Sequence, residues 1–425
     1  TAILLNLPGE MSSVVTTLDG HQMAKQGRAG SALAVAALGS LFAGTIATLA
    51  LAAFAPPLSR LAVSFGAAEY TALILFGLLV SVILAHGSIA KSIAMVLLGL
   101  ALGLGGVDVN SGQIRFDFGI VDLTDGIDFV PLAMGLFGLA EIIRNLETRG
   151  VGDMVTERLS RLWPTRDDFR RAWPAVFRGT GLGSLLGVLP GGGATLASFA
   201  SYALEKKIAS QPERFGKGAV EGVAGPESAN NAAAQTSFIP LLTLGLPTNA
   251  VMALLVGAFI IHGVQPGPTM MQSQPTLFWG LVVSMWIGNF MLVIINLPLI
   301  GIWVRLLRIR YELLYPAILL FCAIGAYSLN NSSFDILVMA AFGLVGYLFI
   351  KIGCEPAPLL LGFVLGPMLE ENFRRAMLLA RGDPLVFLER PISLAILVAL
   401  AATLLALTLP TLRRKRSATF IEGES

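Results

Sequence analysis

The sequence predicts an all-α, polytopic membrane protein built of inverted-topology repeats with discontinuous and re-entrant helices, and three observations carry that prediction. Hydrophobic residues make up 55% of the 425 residues and charged ones 13%, with a mean hydropathy of +0.75, far from the composition of a soluble domain. Apolar runs of spanning length recur along the chain. Two helix-breaking motifs, Leu7-Pro8-Gly9-Glu10 and Leu246-Pro247-Thr248-Asn249, interrupt such runs. Lipid cannot hydrogen-bond a broken backbone, so a break at membrane depth survives only against protein or a watery cavity.

In order, the runs are 30–54, 70–85, 89–104, 129–143, 276–300, 315–329, 334–352 and 392–409, to be compared with the roughly 17–25 residues of a spanning helix. Shorter or interrupted runs lie at 172–204, 229–261 and 358–369, the last undecided between a span and a re-entrant hairpin. Lys and Arg are retained on the cytoplasmic side, which orients the runs. Lys25 and Arg28 start 30–54 inside, 70–85 returns, and 89–104 goes out again. The loop 106–128 is then external, and it is acidic, with Asp108, Asp117, Asp122, Asp125 and Asp128 against the single Arg115. After 129–143 the chain enters its most basic stretch, 144–178, which carries eight arginines. Arg305, Arg308 and Arg310 place the end of 276–300 inside; toward the C-terminus Arg374, Arg375, Arg381 and Arg390 compete with the tail Arg413-Arg414-Lys415-Arg416 for the cytoplasmic side, and a cytoplasmic tail is favoured. The chain divides accordingly into a first transmembrane repeat (1–143), a basic cytoplasmic linker (144–178), a second repeat (179–390), and a terminal helix with a basic tail (391–425).

Tyr70-Thr-Ala-Leu-Ile-Leu-Phe76 aligns with Tyr315-Pro-Ala-Ile-Leu-Leu-Phe321, and the two Leu-Pro breaks stand at nearly the same offset upstream. The charge rule starts Tyr70 outside and Tyr315 inside, the pattern of an inverted-repeat secondary transporter with its solute site at the midplane between broken helices. The stretch GTGLGSLLGVLPGGGA, 179–194, reads as a re-entrant hairpin with Pro190, Gly191 and Gly192 at its tip; its glycines alternatively serve close helix packing. A matching element ahead of Pro8 would need about 70 further residues, so a chain beginning at Thr1 reads as N-terminally truncated.

A broken helix offers backbone N–H groups and the positive end of a helix dipole, which hold carboxylates without a buried cation. The first break supplies Asn6, Pro8, Gly9, Ser12 and Ser13; the second supplies Thr243, Gly245, Pro247, Thr248 and Asn249, with Asn230 and Asn231 nearby. No Lys or Arg lies in these motifs, so an organic anion would depend on neutral donors or on co-bound cations. Glu10, Thr16 and Glu227 are the coupling candidates, for a sodium ion or a proton. Glu10 is open between a protonatable site, a cation ligand and a helix-start carboxylate, and capping is the simplest account of Glu227. Replacing Pro247 by Ala is expected to let the helix close across the break.

Other classes lack their residues. Three histidines, His21, His86 and His262, and two cysteines, Cys322 and Cys354, form no metal-ligand spacing, and no GxxxxGK[ST] occurs, so no cofactor is expected beyond a coupling sodium ion or proton. Ser184, Ser198 and Ser237 have no base at dyad spacing to support an intramembrane hydrolase. A passive organic-anion channel shares the polar breaks and stays open as the alternative.

The segments TAILLNLPGEMSSVVTTLDGHQMAKQGRAGSAL, GLGSLLGVLPGGGATLASFASYALEK, FGKGAVEGVAGPESANNAAAQTSFIPLLTLGLPTNA and GVQPGP, with Gly112-Gln-Ile-Arg-Phe116-Asp-Phe-Gly119 and Leu123-Thr-Asp-Gly126 of the acidic loop, resemble the large membrane subunit of the tripartite tricarboxylate transporters. The resemblance implies a cation-driven carboxylate importer of the bacterial inner membrane. It also implies two protein partners, a small membrane subunit and a periplasmic solute-binding protein, and no nucleic acid.

Overall fold

The computed structural model describes residues 2–5, 10–84, 88–108, 111–147, 163–189, 193–299 and 311–408. They are helical almost throughout, the exception being a two-stranded hairpin of β1, Gly106–Val107, and β2, Ile114–Arg115. The main helices are α1 Val14–Lys25, α2 Ala29–Ala62, α3 Ala67–Leu84 and α4 Ile89–Gly103. Helix α5 begins as Phe129–Ala133, widens into a π-helical Met134–Leu139 and ends as Ala140–Glu147. Next come α6 Arg166–Gly187, α7 Gly193–Ile208, α8 Glu221–Thr236, α9 Phe238–Leu244 and α10 Ala250–Ile261. The series closes with α11 Pro275–Asn296, α12 Tyr311–Asn330, α13 Ser333–Lys351, α14 Pro356–Leu379 and α15 Pro391–Thr408. Helices α2, α11 and α13 are each long and apolar enough to cross a membrane, and several shorter apolar helices accompany them. This is the all-α, multi-pass architecture that composition predicts.

The chain resolves into two compact units, and each draws on both halves of the sequence. The first comprises Thr1–Arg60, Gly150–Thr248 and Pro266–Arg308; the second comprises Leu61–Arg149, Asn249–Gln265 and Ile309–Ser425.

In the first unit, α6 and α8 pack backbone to backbone. Gly179, Gly183 and Gly187 repeat every fourth residue and so line one face of α6. They meet Gly225, Ala229 and Ala233 of α8, and a Cβ on any of the three would overlap a backbone carbonyl across the interface. Small residues at this spacing let membrane helices approach closely, so the packing reading of these glycines holds. The paired numbers rise together, so the two helices run parallel. Helix α7 returns between them: Gly193 lies against Gly187 at one end, and Arg178 and Glu205 form a two-pronged ion pair (2.6 and 2.8 Å) farther along. The hairpin 179–194 is therefore present as α6 and α7, while its tip, Pro190, Gly191 and Gly192, lies outside the described residues. The boundary drawn at 178/179 between linker and repeat falls inside α6. That helix begins at a capping box in which Thr165 and Asp168 each accept the other's backbone N–H (3.1 and 3.3 Å), and nothing interrupts it before Gly187. Asp168 also binds Arg28 and Ser31, tying the start of α6 to the start of α2.

Helix α11 shows why a nearly all-apolar run can still have sides. Trp279, Val283, Ile287 and Phe290 form an exposed stripe suited to lipid, whereas Phe278, Val282 and Asn289 are buried.

In the second unit, α4 and α14 pack in the same manner, with Gly99 and Gly103 against the backbone at Leu359 and Phe363, and Gly362 against Val96. The undecided segment 358–369 is thus part of one uninterrupted helix, parallel to α4, and not a hairpin. Ends that the charge rule assigns to one side lie together. Lys91 at the start of α4 donates to the Ile352 carbonyl past the end of α13 (2.5 Å), and Glu147 at the end of α5 binds Lys351 and Tyr347. On the opposite side Asn330 donates to both Asp128 and Asp335. Burial and the neighbouring Asp335 carboxylate push the Asp128 carboxyl above its ordinary value. Arg374 belongs to the same side: it pairs with Asp108 and Glu370 at 3.0 and 2.9 Å, the two acids that also hold Arg115. Arg374 is thus committed to acids, which weakens its pull on the orientation of the helix.

Substituting Gly183 by Leu should force α6 away from α8, with an overpacking cost of about 1–3 kcal/mol or more. Gly181 faces open space, so Gly181→Leu is the matched control. Thermal stability and inserted abundance of the two variants measure the difference; equal values would mean that the close approach does not matter.

Candidate functional site

Helix α8 carries Glu227, Asn231 and Gln235 at four-residue spacing, and α2 carries Ser40, Gly44 and Thr48 in the same way. Residues four apart share a helix face, and these two faces meet. Asn231 Nδ2 donates to Ser40 Oγ (2.7 Å) and to the Glu227 carbonyl (3.0 Å), while Thr48 Oγ1 donates to Gln235 Oε1 (3.4 Å) and to the Gly44 carbonyl (2.7 Å). Helix α11 adds Asn289, whose Oδ1 accepts from Gln235 Nε2 (3.5 Å). Its Nδ2 is buried without a hydrogen-bond partner among the described residues, and the amide rests where a Cβ on residue 44 would stand, so a side chain there would displace it. From α1, Thr16 Oγ1 donates to Glu227 Oε1 at 2.5 Å.

These elements line a half-open cavity of about 300 Å³ within the first unit. Its polar lining comes from Ser13, Thr16, Ser40, Glu227, Asn231, Asn289 and Asn296, its apolar lining from residues such as Ile3, Leu33, Leu41 and Leu292. Glu227 is the sole ionisable side chain among the described lining residues, and no Lys or Arg balances it there. Ligand cavities run from roughly 300 to 1,000 Å³, so this one suits a compact solute or an ion.

Glu227 sits in the second turn of α8, seven residues from its N-terminal end if Glu221 is counted as the first, and its carboxylate is bound by the Thr16 side chain. The capping account of Glu227 is therefore corrected: the helix starts earlier, at Glu221, because the glycine-containing turn at 216–219 precedes it. Glu10 is bound through side chains, by Ser12 Oγ and by Asn230 Nδ2 (3.2 Å). Neighbouring positions on a helix point apart, so Asn230 reaches Glu10 while Asn231 faces α2. Ser13 joins both groups, since its Oγ donates to the Glu10 carbonyl (2.8 Å) and it lines the cavity. Asn6, Pro8 and Gly9 lie outside the described residues.

The second break is real and is held by more than its proline. Helix α9 ends at Leu244, and Gly245 follows in the left-handed region (φ +73°), its N–H donating to the Leu241 carbonyl at 3.0 Å. A Cβ at Gly245 would stand 2.6 Å from the Pro266 carbonyl oxygen, so glycine is required twice over. Helix α10 restarts after Asn249, whose side chain accepts the Met252 N–H (3.0 Å). Three expectations change in consequence. That amide is capped internally and is not left for a solute. Thr243 spends its hydroxyl on the Ile239 carbonyl (2.7 Å). Removing Pro247 alone leaves Gly245 and the Asn249 cap in place to keep the helix open. Thr248 is buried, with Oγ1 unpartnered among the described residues. Thr243, Gly245, Pro247 and Thr248 are not among the described residues that line the α1–α2–α8–α11 cavity.

Sequence reasoning missed Ser40, Asn289 and Asn296, although an Asn within a spanning run is a signal in itself. It also missed Asp19. This carboxylate is fully buried and accepts the N–H groups of Gly216, Gly218 and Ala219 (2.8–2.9 Å) and the hydroxyl of Tyr202 (3.0 Å). It fills the start of α8 that an external anion would otherwise find, and it fixes α1 to α8 beside the cavity.

Residues 1–361 match the sequence profile of the Tripartite tricarboxylate transporter TctA family. The chain is 60% identical over its full 425 residues to the uncharacterized 52.8 kDa protein in the TAR-I ttuC' 3'region of Agrobacterium vitis, covering 84% of that protein. It is 61% identical over 243 residues, 57% of this chain and 100% of the relative, to the uncharacterized protein in the TAR-II ttuC' 3'region of the same organism. No solved structure matches it.

Each hydrogen bond to a charged acceptor contributes about 1.5–3 kcal/mol, and removing the acceptor strands its donors. Asp19→Ala should therefore lose at least about 3 kcal/mol of stability and most of the inserted protein, seen by detergent-extract melting and by membrane abundance. Pro247→Ala should keep near-parent abundance and retain uptake. Loss of uptake in well-inserted Pro247→Ala would show that the proline itself is needed.

Proposed function

Because the chain belongs to the tripartite tricarboxylate transporter TctA family, we propose that this multi-pass subunit imports carboxylate anions, tricarboxylates or related organic acids, across the bacterial inner membrane in symport with sodium ions or protons. A transporter subunit of this kind works with a small membrane subunit and a periplasmic solute-binding protein, and catalyses no covalent chemistry. The observation that carries the coupling is the cavity in which Glu227 is the one ionisable side chain among the described lining residues.

The physical argument concerns charge. A carboxylate partly withdrawn from water with no cation beside it is costly, and bringing an anionic solute toward it adds like-charge repulsion. A proton on Glu227, or a cation held by its oxygens with those of Thr16 and Ser13, removes both penalties. Solute entry and cation entry then favour each other, which is the thermodynamic content of symport. Asn231 and Ser40 hold the adjoining wall in place, and Asn289 and Asn296 offer amides to carboxylate oxygens. Two related halves in opposite orientation, the repeat expected from the sequence, would let the same site open to either side.

Glu227→Gln keeps the shape and the Thr16 contact but cannot release a proton or neutralise a cation. In reconstituted vesicles it should abolish gradient-driven accumulation while solute exchange at equal concentrations continues. Accumulation that keeps the parent's dependence on the sodium and proton gradients would place coupling elsewhere. Uptake by the parent that persists at full rate with both gradients collapsed would favour a passive channel.

A further inference from the structure

The acidic loop of the second unit carries a motif, Arg115-Phe116-Asp117-Phe118-Gly119, to which the transport cavity gives no role. Its backbone is held in an uncommon form. Phe116 and Phe118 both have positive φ (57° and 50°), a region that bulky side chains rarely adopt, and Gly119 follows at 76°. The segment cannot relax by swinging away, because Arg115 is bound by Asp108 (2.7 Å) and by Glu370 of α14 (2.9 Å), and β1 and β2 pair just before it. The strained turn lifts apolar side chains out of the protein: Phe118 is 81% exposed and Val121 85%, with Phe116 and Ile120 exposed beside them.

Exposed apolar groups clustered on one loop mark an interaction surface. Acid surrounds this cluster, with Asp117 between the two phenylalanines and Asp122 and Asp125 following. Arg115, the one basic residue of the segment 106–128, is already committed to its two acids. Such a patch is repelled by an anionic bilayer surface and complements a protein with an apolar recess and a basic rim. The charge rule puts the loop outside.

We infer that the loop 114–125 is the docking point for the soluble solute-binding protein, with Phe118 and Val121 as apolar anchors and Asp122 and Asp125 pairing with a basic rim on that partner. The inference rests on the tripartite reading given above. A strained, pre-ordered turn suits the role, since ordering costs met within the free subunit are not met again on binding.

The test uses the whole transporter in proteoliposomes, with purified solute-binding protein titrated outside. Phe118→Ser and Val121→Ser should each raise the half-saturating concentration of binding protein roughly tenfold, as loss of an interface anchor does, with the maximal uptake rate unchanged. Asp122→Lys should raise it too and flatten its dependence on salt. A photoreactive phenylalanine analogue at position 118, which preserves size and shape, should crosslink to the binding protein. Unchanged half-saturation in all three variants of an active transporter, or crosslinks at 118 only to lipid or to another membrane chain, overturns this inference alone. A parent transporter whose uptake does not depend on the binding protein overturns the tripartite reading and this inference with it.

Discussion

The close approach of α6 and α8 is the constraint on which the first unit depends. With Gly179, Gly183 and Gly187 on one side and Gly225, Ala229 and Ala233 on the other, that face of α8 is occupied by backbone alone. Its polar residues must therefore lie elsewhere on the circumference. Glu227, Asn231 and Gln235 consequently face α1, α2 and α11, where Ser40, Gly44, Thr48 and Asn289 answer them. In lipid the gain from such packing is dispersion contact, since tails are as apolar as the helices. A single added methyl removes it by steric overlap.

Two carboxylates, Asp19 fully buried and Glu227 half-buried, then meet opposite treatment within a few turns of each other. Asp19 and Thr16 both belong to α1, one turn apart, and both reach the region of α8. Asp19 receives three backbone N–H groups and a phenol, so its charge is satisfied and it serves as a rivet. Glu227 has the Thr16 hydroxyl and lines a cavity instead. Among the described residues that hydroxyl is the one donor to the Glu227 carboxylate, against four for Asp19. Among the described residues, the division of labour follows the number of donors aimed at each group.

Charge along the chain sorted the ends of the second unit well, with Lys91, Glu147 and Lys351 gathered at one side and Asp128, Asn330 and Asp335 at the other. It was ambiguous at Arg374, Arg375, Arg381 and Arg390, of which Arg374 and Arg375 are ion-paired. Arg374 and Arg115 share Asp108 and Glu370, and two of these contacts, Arg115 to Glu370 and Arg374 to Asp108, span more than 250 positions in sequence, which no local reading can foresee. The exposed Phe118 depends on the same cluster, since the ion pairs anchor the strained turn that presents it.

The sequence by itself determined the all-α membrane class, the apolar runs that become α2, α11 and α13, and the existence of the break at Pro247. Each of these is a local matter: apolar length against bilayer thickness, and the missing N–H of proline. It also marked Glu227, Asn231, Ser13 and Thr16 as residues of interest. Tertiary structure decided how they combine. Whether Glu227 caps a helix or lines a cavity depends on Thr16, 211 positions away. Gly245 and Asn249 hold the break open by a left-handed turn and a side-chain cap, so proline is one cause among three. Asp19, Ser40 and Asn289 gained their meaning only when four helices met, because a hydrogen bond between distant elements leaves no periodic trace in either of them.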